Sequence, residues 1–316
     1  MICLCCGKPI KNEEAASCGW HHSCIKHFFG TTRLPEITIS NEALEWIANE
    51  TISKGYTVAG VQKKLSLHLS KEEKARLTLV GYPSGYILKP QTNEYRALPE
   101  AEQMIMCMAD AAGITTVPHG LIQSDGTYAY ITKRVDRMVL PDQSIRLLAM
   151  EDFCQLTYRL TNDKYQSSYE RCAKVIDRWS SQKGLDMAEF FIRIVFSFLV
   201  GNSDMHLKNF SLLETAPGSQ EFMLSPAYDM LPVNIVSNDT EETALALNGK
   251  KSNLRKKDFF ALAAACHLSS AAAEKMIGNL IKKVDVLISI AEHAEIPDDI
   301  RQACIALLIE RAAVFA

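Results

Sequence analysis

A two-lobed α+β fold is what this sequence predicts, on three observations. Before about residue 145, short runs alternate apolar and polar residues as half-buried strands do. After it, apolar residues recur at helical spacing. A segment dense in Cys and His precedes both. The expected division is a Cys/His-rich segment at 1–33, a sheet-rich lobe at 34–140 and a helical lobe at 141–316. In order, Asn41 to Asn49 predicts a helix with Leu44, Ile47 and Ala48 on one face. Lys64 to Leu69 alternates as a strand, Gly81 to Gly85 reads as a turn, and Tyr86 to Lys89 as a second strand. Glu100 to Ala112 predicts a helix, with Pro99 at its entry and Gly113 past its end. Tyr128 to Thr132 reads as a strand. Helical spacing then covers Met150 to Thr157, Tyr169 to Ser180 and Met187 to Val200. Two short strand-like runs follow, Phe210 to Leu213 and Phe222 to Leu224. Helices over Asp258 to Cys266, Ala271 to Glu292 and Asp298 to Phe315 close the chain.

Composition narrows the function classes. Of 316 residues, 47% are hydrophobic and 22% charged, a globular balance that excludes a disordered or collagen-like chain. The 34 Lys and Arg against 37 Asp and Glu leave a formal net charge of −3, which is no electrostatic footprint for autonomous nucleic-acid binding. Ten scattered cysteines in a chain this long do not make a disulfide scaffold. The most apolar run, Phe190 to Val200, is interrupted by Arg193 and too short to span a bilayer, and Met1 to Cys6 lacks a basic region followed by an apolar one. A soluble protein of a reducing, cytoplasmic compartment is expected.

The chemistry-bearing segment is Val200 to Ser211, where a long apolar helix runs into a polar loop and returns to a strand. Asp204 and Asn209 stand at the Asp-x-x-x-x-Asn spacing of a phosphoryl-transfer catalytic loop, in which the Asp accepts the acceptor hydroxyl's proton and the Asn holds Mg²⁺. Asp229 follows the strand-like run Phe222 to Leu224, and a short hairpin between the two segments would bring both oxygen ligands to one metal. Lys89 ends an apolar strand, as a cation for nucleotide phosphates should. Glu102 on the next helix is its candidate ion-pair partner and Glu100 the competitor. The small-residue turn Thr57-Val58-Ala59-Gly60-Val61-Gln62 could cover the phosphates.

The N-terminal cysteines suggest a different chemistry. Cys3 and Cys6 form a C-x-x-C pair, and His21 and Cys24 an H-x-x-C pair after fourteen intervening residues. Two chelating pairs separated by a small loop are the arrangement of a tetrahedral Zn²⁺ knuckle. Cys5, Cys18 and His22 are alternative ligands. Cys107, Cys154, Cys172, Cys266 and Cys304 fall within helix patterns and read as buried small hydrophobes.

Taken together, the sequence resembles the HipA-like serine/threonine kinase toxins over nearly its whole length. The resemblance is carried by Thr57 to Ser66, Tyr86-Ile87-Leu88-Lys89-Pro90, Leu98-Pro99-Glu100-Ala101-Glu102, Ile131 to Arg137, Glu151-Asp152-Phe153-Cys154-Gln155, Gly201 to Ser211 and Ser225-Pro226-Ala227-Tyr228-Asp229, in that order. It implies a protein-kinase-like fold, with a sheet-rich N-lobe bearing the Gly-containing loop and a helix-dominated C-lobe bearing the catalytic loop. It further implies Asp204 as base with His206 and Lys208 beside it, and Asn209 and Asp229 as Mg²⁺ ligands. ATP contacts are implied at Val58, Ala59, Gly60, Val61, Gln62, Lys64, Lys89, Glu102, Lys133 and Val135. The family usually has Phe where this chain has Val135. Its long members carry a further N-terminal module ahead of the Gly-containing loop, which here begins at Thr57, so the chain resembles the shorter HipT type. For that type a small HipS-like protein supplies the module beside a HipB-like DNA-binding antitoxin, and DNA is met only through that antitoxin. The expected activity is ATP- and Mg²⁺-dependent phosphorylation of a host protein, by implication an aminoacyl-tRNA synthetase, arresting translation and producing persistence. Autophosphorylation at Thr57 is the implied control, with Ser53 and Ser66 as lesser candidates. The alternatives are a small-molecule kinase of the aminoglycoside or choline type and a catalytically idle binding module.

Overall fold

The computed structural model describes residues 1–11, 18–37, 64–70, 75–78, 85–124, 126–139, 144–237 and 239–316. The predicted helix at 41–49, the turn at 81–84 and the Gly-containing loop at 57–62 lie outside them. The chain divides into two compact units, Met1–Gln103 with Val117–Arg134, and Met104–Thr116 with Val135–Ala316.

Among the described residues, the first unit holds a six-stranded sheet in the order β1-β3-β2-β4-β6-β5, antiparallel except for the β1–β3 pair. Its strands are β1 (Glu36–Ile37), β2 (Leu65–Ser70), β3 (Arg76–Thr78), β4 (Tyr86–Pro90), β5 (His119–Ser124) and β6 (Thr127–Lys133). Strand β5 was not expected, because Pro118 and Gly120 break the strand pattern. The Asp125-Gly126 pair before Thr127 is the hairpin signal that marks it, and Gly126 has φ +80°. Helix α1 (His22–Phe29) ends at Gly30, whose left-handed φ of 69° lets its N–H reach the Lys26 carbonyl. Trp20, Ile25, Phe28 and Phe29 pack with Leu65, Leu67, Leu77, Tyr86, Leu88, Ile122, Ala129 and Ile131 into one core. The N-terminal segment therefore shares a core with the sheet. Helix α2 (Leu98–Ala112) contains the boundary between the units.

Among its described residues, the second unit holds two small antiparallel sheets. One pairs β7 (Arg137–Val139) with β8 (Ile145–Leu147). The other has the order β11-β10-β9, from β9 (Met150–Asp152), β10 (Ser211–Glu214) and β11 (Phe222–Leu224). Its helices are α3 (Phe153–Leu156), α4 (Tyr169–Trp179), α5 (Lys183–Leu199), α6 (Val233–Val236), α7 (Lys256–Ala265), α8 (Ser270–Ile281), α9 (Val284–His293) and α10 (Asp298–Ala312). Phe190 and Phe191 of α5 are fully buried, and Phe190 meets Phe210 at 5.1 Å between centroids. Burying each such ring contributes about 1.5–3 kcal/mol. Among the described residues, no helix is long and apolar enough to cross a membrane.

Two expected helices are corrected. Residues 150–157 are not one helix: Met150 to Asp152 pair with β10, and the helix starts only at Phe153. The cause is Asp152, which caps that helix through the Gln155 N–H while the Gln155 side chain accepts from the Asp152 N–H. The span 271–292 is two helices. Lys282 N–H still bonds the Gly278 carbonyl, but Lys283 N–H bonds Leu280, a tighter turn that ends α8 before α9 begins.

Gly120 and Gly184 make opposite predictions. A Cβ on Gly120 would lie 2.5 Å from the Trp20 indole, whereas one on Gly184 in α5 meets nothing within 4 Å. Gly120→Ala should lower stability to denaturant by about 1–3 kcal/mol, and Gly184→Ala should raise it by about 0.4–1 kcal/mol. Equal effects from the two substitutions would contradict the packing described.

Candidate active site

Lys89 lies on β4 and Glu102 one turn into α2. The Lys89 ammonium donates to Glu102 Oε1 at 2.5 Å, with side chains 4% and 0% exposed. The ammonium also lies 5.2 Å from the Tyr130 ring centroid. Gln91 brings β4 to the helix, since its Oε1 accepts the Leu98 N–H. Glu102, not Glu100, takes the ammonium; burial pushes the Glu100 carboxyl upward, against a smaller lowering by its own backbone N–H. Lys133 is the half-buried last residue of β6, Lys64 is exposed just before β2, and Val135 is half-buried at the start of the second unit's long segment.

In the second unit, α5 ends at Leu199 and the chain turns at Gly201, whose φ is +74°. That left-handed backbone calls for glycine, and a Cβ there would also press on the tip of the Leu307 side chain at 2.6 Å. The loop beyond is held by its own bonds. Asn209 Nδ2 donates to the Asp204 carbonyl at 2.8 Å, the same carbonyl accepts the His206 N–H, and the Asn209 N–H reaches the His206 carbonyl. With its nitrogen so engaged, the buried Asn209 amide turns its oxygen the other way, as a hard-cation ligand requires.

Asp204 is half-buried, and Tyr165 donates its hydroxyl to Oδ1 at 2.5 Å. Burial first, and the bond to Asp204 next, push the Tyr165 phenol well above its usual range, so it remains a donor. His206 Nε2 lies 3.9 Å from the other carboxylate oxygen and its ring meets Tyr165 edge-on. Lys208 donates to Asp152 Oδ2 at 2.6 Å, tying the loop to the cap of α3.

Asp229 sits at the open end of the β10–β11 hairpin. Its neighbour Tyr228 donates to the Lys208 carbonyl at 3.0 Å and shares a 2.6 Å bond with Ser211 Oγ, which brings the 228–229 segment against the 208–209 segment. Asp229 has φ +61°, a left-handed backbone that is uncommon outside glycine and that Asp and Asn take more readily than other residues. The segment leading to it is held by Arg193 of α5, fully buried, which donates through both Nη1 and Nη2 to the Ser225 carbonyl at 3.1 Å and pairs with Glu189 at 3.0 Å. The arrangement offers an anchored carboxylate, a half-buried second carboxylate and an oriented amide oxygen, a set suited to Mg²⁺ and proton transfer.

The Cys3, Cys6 and Cys24 thiols and His21 Nδ1 all lie within 4.8 Å of one another. Cys5, Cys18 and His22 are outside that set: Cys5 Sγ donates to the His119 carbonyl although it also borders Cys24, and Cys18 Sγ donates to the Trp20 carbonyl. Bonding from Cys24 pulls the Cys3 thiol far below its usual range, and the same network pushes Cys6 and Cys24 far above theirs. Cys107, Cys154, Cys172, Cys266 and Cys304 are all buried, as expected.

Sequence reasoning missed Tyr165, Asp152, Tyr228 and Arg193 as partners of the site. Nothing in the fragment Glu151 to Gln155 points to Lys208, which lies 56 residues from Asp152. Tyr165 lies 39 residues from Asp204, beyond any local spacing rule.

The profile of the HipA-like C-terminal domain matches residues 56–288. The Sinorhizobium fredii protein named "Putative kinase Y4dM" is 32% identical over 232 residues, which are 68% of this chain and 54% of that protein. The serine/threonine-protein kinase toxin HipA of Shewanella oneidensis is 24% identical over 210 residues, 61% of this chain and 46% of that protein. The chain thus spans about half the length of these curated relatives. A solved structure of Shewanella oneidensis HipA with HipB and operator DNA superposes with a TM-score of 0.68 at 18% identity, covering 84% of this chain and 70% of that one. The likeness shows a shared fold, in agreement with the kinase-like α+β architecture expected from sequence.

The buried ion pair makes a prediction of its own. Lys89→Met leaves Glu102 buried without its cation and should cost about 3–5 kcal/mol of stability. Lys89→Met combined with Glu102→Leu should recover most of that loss in a denaturation cycle. Additive losses in the double variant would mean that the two side chains are not coupled.

Proposed function

Because the chain belongs to the family of HipA-like C-terminal domains, we propose that it is an ATP- and Mg²⁺-dependent protein kinase that phosphorylates Ser or Thr hydroxyls. The observation that carries this reading is the second unit's pairing of loop 202–209 with segment 225–229 through Tyr228, which sets Asn209 and Asp229 on adjoining chain segments. In this reading Asn209 and Asp229 hold Mg²⁺, which when bound neutralises charge on the β- and γ-phosphates. Asp204 accepts the proton of the acceptor hydroxyl. The Tyr165 bond orients that carboxylate and leaves its second oxygen toward His206. Lys89, held by Glu102, meets the nucleotide phosphates. Lys208, engaged by Asp152, positions the loop. The Gly-containing turn at 57–62, with Lys64 beside it, and Lys133 and Val135 contribute further ATP contacts on the strength of the family resemblance alone.

Likeness to the HipA toxin, solved with HipB and operator DNA, supports a toxin role with protein antitoxin partners. We infer a HipB-like DNA-binding protein and, from the HipT resemblance, a HipS-like small protein. The inferred target is an aminoacyl-tRNA synthetase, with arrest of translation and persistence as the outcome in the cytoplasm. Thr57 is the inferred autophosphorylation site. A phosphate there would bring about −1.5 to −2 charges to the turn over the nucleotide.

Labelled ATP, Mg²⁺ and a bacterial lysate test the activity directly. Labelled protein bands are expected; label confined to small molecules, or no transfer, would overturn the protein-kinase reading. Asp204→Asn and Asp229→Asn should each lower transfer by about 10²–10⁴-fold or more. Only the Asp229 variant should also weaken Mg²⁺-dependent ATP binding. Tyr165→Phe should produce a smaller fall with stability little changed. Phosphopeptide mapping of ATP-treated protein should find phosphate on Thr57, and modification only elsewhere would remove that residue from the scheme.

A further inference from the structure

The N-terminal Cys/His cluster has no part in phosphoryl transfer, yet it is the most closely gathered set of soft ligands among the described residues. Residues 3–8 form a tight knuckle. Cys3 N–H bonds the Lys8 carbonyl, Gly7 N–H bonds the Cys3 carbonyl, and Gly7 takes φ +66°. Ile2 and Pro9 bridge across its base. The second pair comes from the start of α1, where His21 is the N-cap and Cys24 lies in the first turn.

The distances are those of a coordination shell. Four ligands about 2.3 Å from a central zinc stand about 3.8 Å apart in a tetrahedron, slightly less where nitrogen replaces sulfur. Here Cys3 Sγ to Cys24 Sγ is 3.9 Å, Cys24 Sγ to His21 Nδ1 is 3.8 Å, and Cys6 Sγ to His21 Nδ1 is 3.4 Å. The outer contacts agree. His21 Nε2 lies 3.2 Å from the Pro9 carbonyl, an acceptor that requires the ring proton on Nε2 and so leaves the Nδ1 lone pair facing the three sulfurs. The His21 N–H also points at Cys3 Sγ, 3.4 Å away.

We propose that Cys3, Cys6, His21 and Cys24 bind one Zn²⁺ in a closed, structural site that clamps the N-terminal segment onto the edge of the sheet. Four protein ligands leave no open position, so the ion takes no substrate. What it holds in place is on either side of the cluster. Leu4 accepts the Leu121 N–H of β5 and donates to the Gly19 carbonyl, and Trp20 Nε1 donates to the Leu121 carbonyl at 2.8 Å. The Cys5 carbonyl accepts from Gln103, whose Oε1 meets His119 Nδ1 at 2.7 Å. The clamp therefore covers strand β5 and reaches α2 at the residue after Glu102.

The full chain, purified without chelator, should carry one equivalent of zinc by elemental analysis. Replacement with Co²⁺ should give the intense visible d–d bands and thiolate charge-transfer absorption of a tetrahedral three-sulfur, one-nitrogen site, saturating at one equivalent. Cys6→Ser should lose the bound metal, while Cys5→Ser and Cys18→Ser should keep it. Stripping the ion should lower the Tm, and adding Zn²⁺ back should restore it. No stoichiometric zinc together with no tetrahedral Co²⁺ spectrum would overturn the proposal, as would iron in place of zinc or retention of metal by a folded Cys6→Ser variant. The Co²⁺ titration of the unaltered chain stands whether or not that variant folds, and no step depends on kinase activity.

Discussion

A guanidinium with no access to solvent constrains the second unit. Arg193 sits in the middle of the apolar helix α5, where burial lowers its readiness to hold a proton. Its charge is tolerated because Glu189 pairs with it and the Ser225 carbonyl takes two of its N–H groups. Turning or sliding the helix relative to the segment leading to Asp229 would break these bonds and leave a buried charge unpaired. Glu189 extends the constraint by accepting the Thr115 N–H, and Thr115 in turn accepts the Ala227 N–H. From the same helix the chain leaves through the left-handed Gly201 toward Asp204. One buried charge thus ties together the segments that carry both carboxylates.

The first unit solves a different problem. A segment of about thirty residues cannot bury enough apolar surface alone. It shares the sheet's core instead, with Trp20 pressed on the one residue of β5 that lacks a side chain. This economy explains why the N-terminal residues and the Lys89–Glu102 pair belong to one compact body. Gln103 is the direct link, since its side chain bonds the knuckle while its neighbour Glu102 holds Lys89.

Much of the candidate site was legible because its residues lie close in sequence. Asp204 and Asn209 share one loop, and the spacing of Cys3 with Cys6 and of His21 with Cys24 is local geometry that a turn or a first helical turn dictates. The choice of Glu102 over Glu100 was open in the sequence and decided by which carboxylate α2 turns toward Lys89. Strand β5 escaped notice because Gly120, which looks like a break, is where an indole needs room. The start of α3 was misplaced because the capping pair Asp152 and Gln155 lies inside a run with helical periodicity, and the backbone before it pairs with β10 instead.

By itself, then, the amino-acid sequence determined the α+β class, most of the helices and strands, and the groups capable of chemistry, because periodicity, capping and short spacings act over a few residues. Only the tertiary structure decided which partners those groups keep. The Tyr165 hydroxyl on Asp204, the Asp152 carboxylate on Lys208, the Tyr228 bridge and the Arg193 anchor join residues 32 to 56 positions apart, except for the 17- and 20-residue spans of Tyr228. Such contacts depend on how burial forces each polar group to find a partner once the core has closed, and no local pattern in the chain encodes that outcome.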